Sequence, residues 1–164
     1  MYKRQVLEYL APAENPDLLG RLGSYEIEEL VALGGMGVIY RAYEPELKRT
    51  VAIKMLSPMF AGSEEAKTRF HREACAAAAI EHANIIAIYA VDRSTAALPF
   101  LVMQHVDGES LVQRIHRSGD QSISVEEFVR IAKGIAAGMA AAHAEGLIHR
   151  DIKPSNVLLE ANGP

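Results

Sequence analysis

The eight residues His149-Arg150-Asp151-Ile152-Lys153-Pro154-Ser155-Asn156 hold five ionisable or amide side chains. They lie between an apolar helix end and the apolar run Val157-Leu158-Leu159. As a plain loop this is wasteful, because polar groups lodged between apolar elements each need a partner. As a site it is economical. Asp151 offers a carboxylate that can orient a hydroxyl and accept its proton. Lys153 can sit on a migrating phosphoryl group, and Asn156 can offer a neutral oxygen to a divalent cation. Pro154 stiffens the turn between them.

Two further features could act with this loop. Lys54 ends the apolar run Val51-Ala52-Ile53-Lys54. A Lys on an apolar strand is commonly an edge residue with its head in water. The functional alternative is a Lys that points into a cleft and neutralises phosphate, held there by an anion such as Glu73. The plain reading of Glu73 is a solvated helix residue paired with Lys67, Arg69 or Arg72. The cluster Gly34-Gly35-Met36-Gly37 could bring backbone amides close to phosphate oxygens. Taken alone, the cluster is weak evidence, and a simple β-turn explains it better. The cluster lies between two strand-like runs and is not followed by Gly-Lys-Ser/Thr. That argues against a Rossmann or Walker site, both of which need a helix N-terminus.

The elements that must position these groups follow from periodicity. Residues 25–31, 38–43, 50–56, 84–91 and 99–103 read as five strands, β-branched and aromatic or alternating, and bounded by Gly and Pro. Residues 63 to about 81 read as a helix with Ser63 as N-cap and Glu64 and Glu65 in the first turn. Phe70, Ala74, Ala77 and Ala78 share one face of it. Residues 110–117 form a short helix. Ser124 and Glu127 make a capping box for a helix that runs to about Glu145 and stops at Gly146. That helix has a face of small residues, among them Gly134 and Gly138, which lets a neighbouring backbone approach closely. Residues 1–24 are punctuated by Pro12, Pro16, Gly20 and Gly23, and read as an N-terminal extension.

Composition narrows the classes. The chain has 164 residues, 17 Lys+Arg against 21 Asp+Glu, a net charge of -4, 49% apolar and 23% charged residues. That excludes a disordered tail, a collagen-like repeat and a basic nucleic-acid arm, so no nucleic-acid partner is expected. The single cysteine, Cys75, forbids an internal disulfide and fits a reducing compartment. No run is long and apolar enough to export the chain or span a bilayer, so a cytoplasmic location is expected.

In this order the stretches GGMGVIYRAYEP, VAIKML, HREACAAAAIEHANII, PFLVMQHVDGESL and HRDIKPSNVLL resemble the bacterial eukaryotic-like Ser/Thr protein kinases. The resemblance covers residues from about 25 to 160. It implies an α+β protein kinase-like fold: a five-stranded antiparallel N-lobe sheet with one αC-type helix (residues 25–105), then a truncated helical C-lobe (106–164). It implies transfer of the ATP γ-phosphate to a protein Ser/Thr hydroxyl, with Mg2+. Residue by residue, Gly34, Gly35 and Gly37 would belong to the phosphate lid, and Val31, Ile39 and Ala52 would cover the adenine. Lys54 would hold the α- and β-phosphates and pair with Glu73. Met103 would be the gatekeeper, and Gln104, His105 and Val106 the hinge. Leu158 would be the lower face of the adenine slot. Asp151 would be the catalytic base, Lys153 a γ-phosphate contact and Asn156 a magnesium ligand. Arg150 would sense a phosphorylated activation loop. The resemblance also requires Lys54 and Asp151 to serve one nucleotide-sized gap. Lys153 and the GGMG turn favour protein kinases over small-molecule kinases of the same fold.

Two departures stand out. Ala32 replaces the first glycine of the family's lid, which suits a strand but not a positive φ. The matching motifs also end with HRDIKPSNVLL; an Asp-Phe-Gly segment, an activation loop and later helices have no counterpart. The expectation is a partial catalytic domain without its main metal carboxylate, completed by the rest of a C-lobe or prone to self-association. A longer parent could be membrane-anchored. The alternative reading is a catalytically inactive remnant that binds nucleotide or partners.

Overall fold

The computed structural model describes residues 6–35, 37–92, 98–118 and 123–161. Met36 of the glycine cluster and the first five residues of the leader lie outside the described residues. Two compact units are formed: Met1–Ala79 with Ala87–His105, and Ile80–Ile86 with Val106–Pro164.

The first unit is built on an antiparallel sheet of β1 (Gly20–Leu22), β2 (Tyr25–Leu33), β3 (Gly37–Glu44), β4 (Arg49–Leu56), β5 (Ile88–Asp92) and β6 (Phe100–Gln104), ordered β1-β2-β3-β4-β6-β5. One helix, α1 (Glu64–Ala78), belongs to the same unit. Alternation explains the sheet. Val38, Tyr40 and Ala42 of β3 are fully buried, while Ile39, Arg41 and Tyr43 between them are only partly covered. Register carries that face across the sheet: Val38 pairs with Met55, and Tyr40 with Ile53, which in turn pairs with Val102. Each fully buried Val, Ile or Met side chain contributes about 1.5–3 kcal/mol by leaving water.

The sheet has one strand more than the five expected. Gly23 (φ 60°) turns the chain so that Gly20–Leu22 pairs with Tyr25–Ile27. The preceding residues are built in as well. Val6 is fully buried, and the Tyr40 hydroxyl donates to the Val6 carbonyl at 3.0 Å. Burial pushes the Tyr40 phenol up to about 12, so it remains a donor. Strand β5 starts at Ile88, four residues later than expected. The reason is local: His82 Nδ1 accepts the Asn84 N–H at 3.1 Å and the His82 carbonyl accepts the Ile85 N–H at 2.9 Å, which makes a turn of Asn84-Ile85. Helix α1 ends at Ala78 and not near residue 81, and its Ser63 N-cap accepts from the Ala66 N–H at 3.1 Å.

The second unit contains α2 (Leu111–Ser118), α3 (Val125–Ala144) and a two-stranded sheet of β7 (Gly108–Ser110) and β8 (Leu158–Glu160). Strand β7 was not evident from periodicity. Gly108 lies so close to the Leu159 carbonyl that no Cβ would fit. Ser110 starts α2 with its own reciprocal cap: its N–H donates to Gln113 Oε1 at 2.8 Å, and its hydroxyl oxygen accepts the Gln113 N–H at 3.3 Å. Of the expected capping box on α3, the hydroxyl half is formed, with Ser124 Oγ accepting the Glu127 N–H at 3.1 Å. The Glu127 carboxylate reaches Arg114 of α2 instead, in a bidentate pair at 3.0 and 2.8 Å. Helix α3 closes with Gly146 in the left-handed region (φ 73°). The Gly146 N–H goes to the His143 carbonyl at 3.0 Å and the Leu147 N–H to the Ala142 carbonyl at 2.9 Å, a Schellman closure. The small face of α3 receives Asn84: a Cβ on Gly138 would lie 2.8 Å from the Asn84 carbonyl oxygen.

Candidate functional site

The site residues fall on both units. In the first, register places Lys54 between Ile39 and Leu101, and Ala52 between Arg41 and Met103. Directly paired residues share a face. Ile39, Ala52, Lys54, Leu101 and Met103 therefore line the face opposite the sealed core. Ala32 pairs with Ile39 inside β2, and it has no positive φ, so a methyl group is accepted there. Val31 occupies an irregularity between Leu30 and Ala32 and is 56% exposed.

The glycine turn joins β2 to β3, with the Gly34 N–H donating to the Gly37 carbonyl at 2.9 Å. None of Gly34, Gly35 and Gly37 has a positive φ. Gly37 is required for space: a Cβ there would lie 2.8 Å from the Met55 carbonyl oxygen and 3.6 Å from Lys54 Cε. Gly35 faces open space. Lys54 and Glu73 line one small pocket of about 40 Å³ with Leu56, Phe60, Ala66, Arg69 and Phe70. Among the described residues they do not close to an ion pair, and Lys67 binds Glu64 at 2.8 Å rather than Glu73. At the end of β6, the Gln104 N–H donates to the Ala87 carbonyl at 2.8 Å, which leaves that amide engaged within the protein. His105 ends the first unit and Val106 begins the second stretch of the other.

In the second unit the polar loop folds on itself. Lys153 Nζ lies 2.9 Å from Asp151 Oδ2. Asn156 Nδ2 donates to the same Oδ2 at 3.0 Å and to the Asp151 carbonyl at 2.8 Å. Both donors therefore use one carboxylate oxygen, and Oδ1 is left as an acceptor. The amide nitrogen of Asn156 is thus engaged by Asp151, in a residue that is itself exposed. Hydrogen bonds from Lys153 and then Asn156 hold the Asp151 carboxyl below the usual carboxylate range. Pro154–Asn156 makes a short 3-10 turn closed by the Asn156 N–H on the Lys153 carbonyl at 2.9 Å. Arg150 has φ 61°, a strained position that turns the chain into the loop. The resemblance assigns His149 no role, yet its Nδ1 accepts the Asp151 N–H at 3.3 Å. The only sequence signal for this was its place two residues before the carboxylate. Leu158, 42% exposed, follows on β8 and pairs with Ser110.

A carboxylate fixed by an ammonium and an amide, in this order along the chain, is decisive together with the sequence match. The protein kinase domain family model matches residues 25–164. The chain belongs to the protein kinase family. It is 37% identical over 153 residues to a probable serine/threonine-protein kinase of Streptomyces coelicolor, covering 92% of this chain and 22% of that protein. It is 34% identical to the serine/threonine-protein kinase PknB of Mycobacterium leprae, covering 84% of this chain and 22% of that one. The PknI kinase domain of Mycobacterium tuberculosis superposes with a TM-score of 0.75 at 28% identity, covering 93% of this chain and 60% of that one. The chain thus spans about a fifth to a third of the length of the curated kinases it matches.

The kinase family uses a nucleotide and a divalent cation, and the residues present fit the first better than the second. The glycines at 34, 35 and 37 and the ammonium of Lys54 suit a polyphosphate. For magnesium, no cluster of three acidic, His or Cys groups exists among the described residues. Asn156 Oδ1 supplies one neutral oxygen, which is less than a full ligand set. No helix among the described residues is long and apolar enough to cross a membrane.

Proposed function

We propose that this chain carries the nucleotide-binding face and catalytic loop of an ATP-dependent Ser/Thr protein kinase. The observation that carries the reading is the Asp151 carboxylate, held by Lys153 and Asn156 through Oδ2 alone. Oδ1 then accepts the hydrogen bond of a substrate Ser or Thr hydroxyl and aims its oxygen. Because its affinity for protons is lowered, Asp151 orients the hydroxyl first and takes its proton late, as negative charge leaves the attacking oxygen. Lys153, on an exposed flexible stem, moves from the carboxylate to the transferred phosphoryl. Lys54 neutralises the other phosphates from its own strand, and Glu73 positions its ammonium. Ala52, the smallest side chain in its row, leaves room for a flat base. Asn156 Oδ1 is this chain's contribution to a cation. ATP, Mg2+ and a protein hydroxyl are the partners this chemistry implies, and the cytoplasm is the compartment where ATP is supplied.

The test is phosphate transfer to a generic basic protein, measured beside nucleotide binding for the 164-residue chain and for Asp151→Asn. In a chain that turns over, Asp151→Asn lowers the rate by about a thousandfold or more and leaves nucleotide affinity within twofold, as expected for loss of an acid–base group. Equal rates with Asp and Asn remove the assignment of the base. Absence of nucleotide binding, or binding that Lys54→Met leaves unaltered, removes the reading as a whole.

A further inference from the structure

The family match begins at residue 25, but the core of the first unit begins at Val6. Val6 is fully buried, and its carbonyl takes the hydroxyl of Tyr40, thirty-four residues away, at 3.0 Å. Ala11 and Arg21 then exchange both backbone hydrogen bonds, at 2.8 and 2.7 Å. Gly20 lets the two segments touch: a Cβ there would lie 2.7 Å from Leu10 Cβ and 2.8 Å from the Ala11 carbonyl oxygen. Leu7, Tyr9 and Leu10 pack on the same buried cluster as Leu22, Ile27 and Val38. The hydrogen bond falls on Tyr40, which follows Ile39 on β3 and stands three residues from Gly37. Tyr40 also pairs with Leu30, four residues before Gly34. The leader therefore grips both strands of the hairpin that carries the glycine turn: β3 through Val6 on Tyr40, on the face opposite Lys54, and β2 through the Leu19 N–H on the Ile27 carbonyl at 2.8 Å.

We propose that Val6 and Tyr40 are positioning residues for the glycine turn: the leader straps the β2–β3 hairpin from behind and sets the fraction of time the turn is ordered for phosphate. This rests on the nucleotide-binding reading. A nucleotide that needs the ordered turn binds with an affinity reduced by the fraction of chains in which the turn is ordered. Releasing the strap lowers that fraction while the sheet, sealed by Ile53, Met55, Phe100 and Val102, stays folded.

The experiment uses the full chain with Val6→Asp, Val6→Ile and Tyr40→Phe, at a temperature where circular dichroism shows each folded. Two quantities are read: the Kd for ADP, and amide exchange resolved along β2 and β3. The expected result for Val6→Asp is a Kd weaker on the order of fivefold, with faster exchange from Leu30 to Tyr40. Tyr40→Phe, which leaves the Val6 carbonyl without its donor, weakens the Kd about twofold. Val6→Ile restores wild-type values. Should Val6→Asp fail to fold, Tyr40→Phe decides, since it removes a single oxygen. Fast exchange confined to residues 6–22, with β2–β3 exchange and Kd unchanged, overturns the proposal. If the wild-type chain binds no ADP, the nucleotide reading has failed, and the exchange arm still decides whether the leader straps the hairpin.

Discussion

In the first unit Tyr40, Ile53, Phe100 and Val102 are sealed from water. In the second, Val125 is 73% exposed and Phe128 63%, and the buried positions of α3 are the small residues Gly138 and Ala142. One region is held by volume and register. The other is held by capping hydrogen bonds, a bidentate Arg114–Glu127 pair and close backbone approach. The difference reaches the chemistry. Lys54 is placed by its row in the sheet, so its position follows from the core behind it. Asp151 is placed by its own neighbours Lys153, Asn156 and His149, within a loop open to solvent. Lys54 and Asp151 are thus positioned, each within its own unit, by two kinds of force, one cooperative and one local.

The comparison breaks first in the sheet. Ile53→Ala opens a cavity beneath Tyr40 and Val102, and costs about 2–5 kcal/mol of the first unit's stability. Urea unfolding followed by Tyr fluorescence should show the midpoint fall with the slope unchanged. A loss under 1 kcal/mol would mean that volume does not hold this unit. The second unit has a corresponding weak point in backbone contact. Gly138→Val puts a branched side chain where Cβ alone lies 2.8 Å from the Asn84 carbonyl, and costs about 1–3 kcal/mol. Amide exchange should quicken in residues 80–86 and leave β3 and β4 unaltered.

The same division explains what sequence showed. Strands β3 and β4 were legible because a strict two-residue alternation coincides with a sealed face. Gly134 and Gly138 were legible as a close-approach surface, though not the Asn84 backbone that fills it. The loop 149–156 stood out because so many polar groups crowd between apolar elements. What escaped was non-local or shorter than a period. Strands β1 and β7 have three residues each, and β7 pairs with a segment some fifty residues on. The Val6–Tyr40 bond joins a leader rich in Pro and Gly to the middle of the sheet. Asn84 to Ala87 has the apolar composition of a strand, but two acceptors on His82 turn it. Glu127 suits a capping box until Arg114 offers a stronger partner. That Lys153 and Asn156 share one oxygen of Asp151 could be read only from atoms.

The local character of the second unit can be sharpened by titration. Asp151 is held below its ordinary value of 3.8 chiefly by the Lys153 hydrogen bond. A depressed carboxylate keeps these interactions at every pH above its ordinary range and loses them as pH falls through its lowered value. Lys153→Met removes the largest cause, so the Asp151 carboxyl should titrate higher, back toward 3.8, while Asn156 still holds it below that. Carbon-13 NMR of labelled Asp reads this directly. Because the group is solvent-exposed, the thermal midpoint at neutral pH should barely move. An unshifted carboxyl would show that the loop's hydrogen bonds do not tune it.

The smallest effect is expected at the most apolar exposed position on α3. Phe128 is 63% exposed, so replacing it by Ser removes little surface that folding hides from water. Helix propensity changes slightly, and the Ser124 cap and the Arg114–Glu127 pair remain. The net change should stay within about 0.5 kcal/mol. Phe128→Ser deletes a larger apolar group than Ile53→Ala, so a smaller cost at Phe128 measures the contrast between the units all the more sharply. A Phe128→Ser loss near that of Ile53→Ala would mean this helix face is covered in solution, and that the second unit too relies on volume.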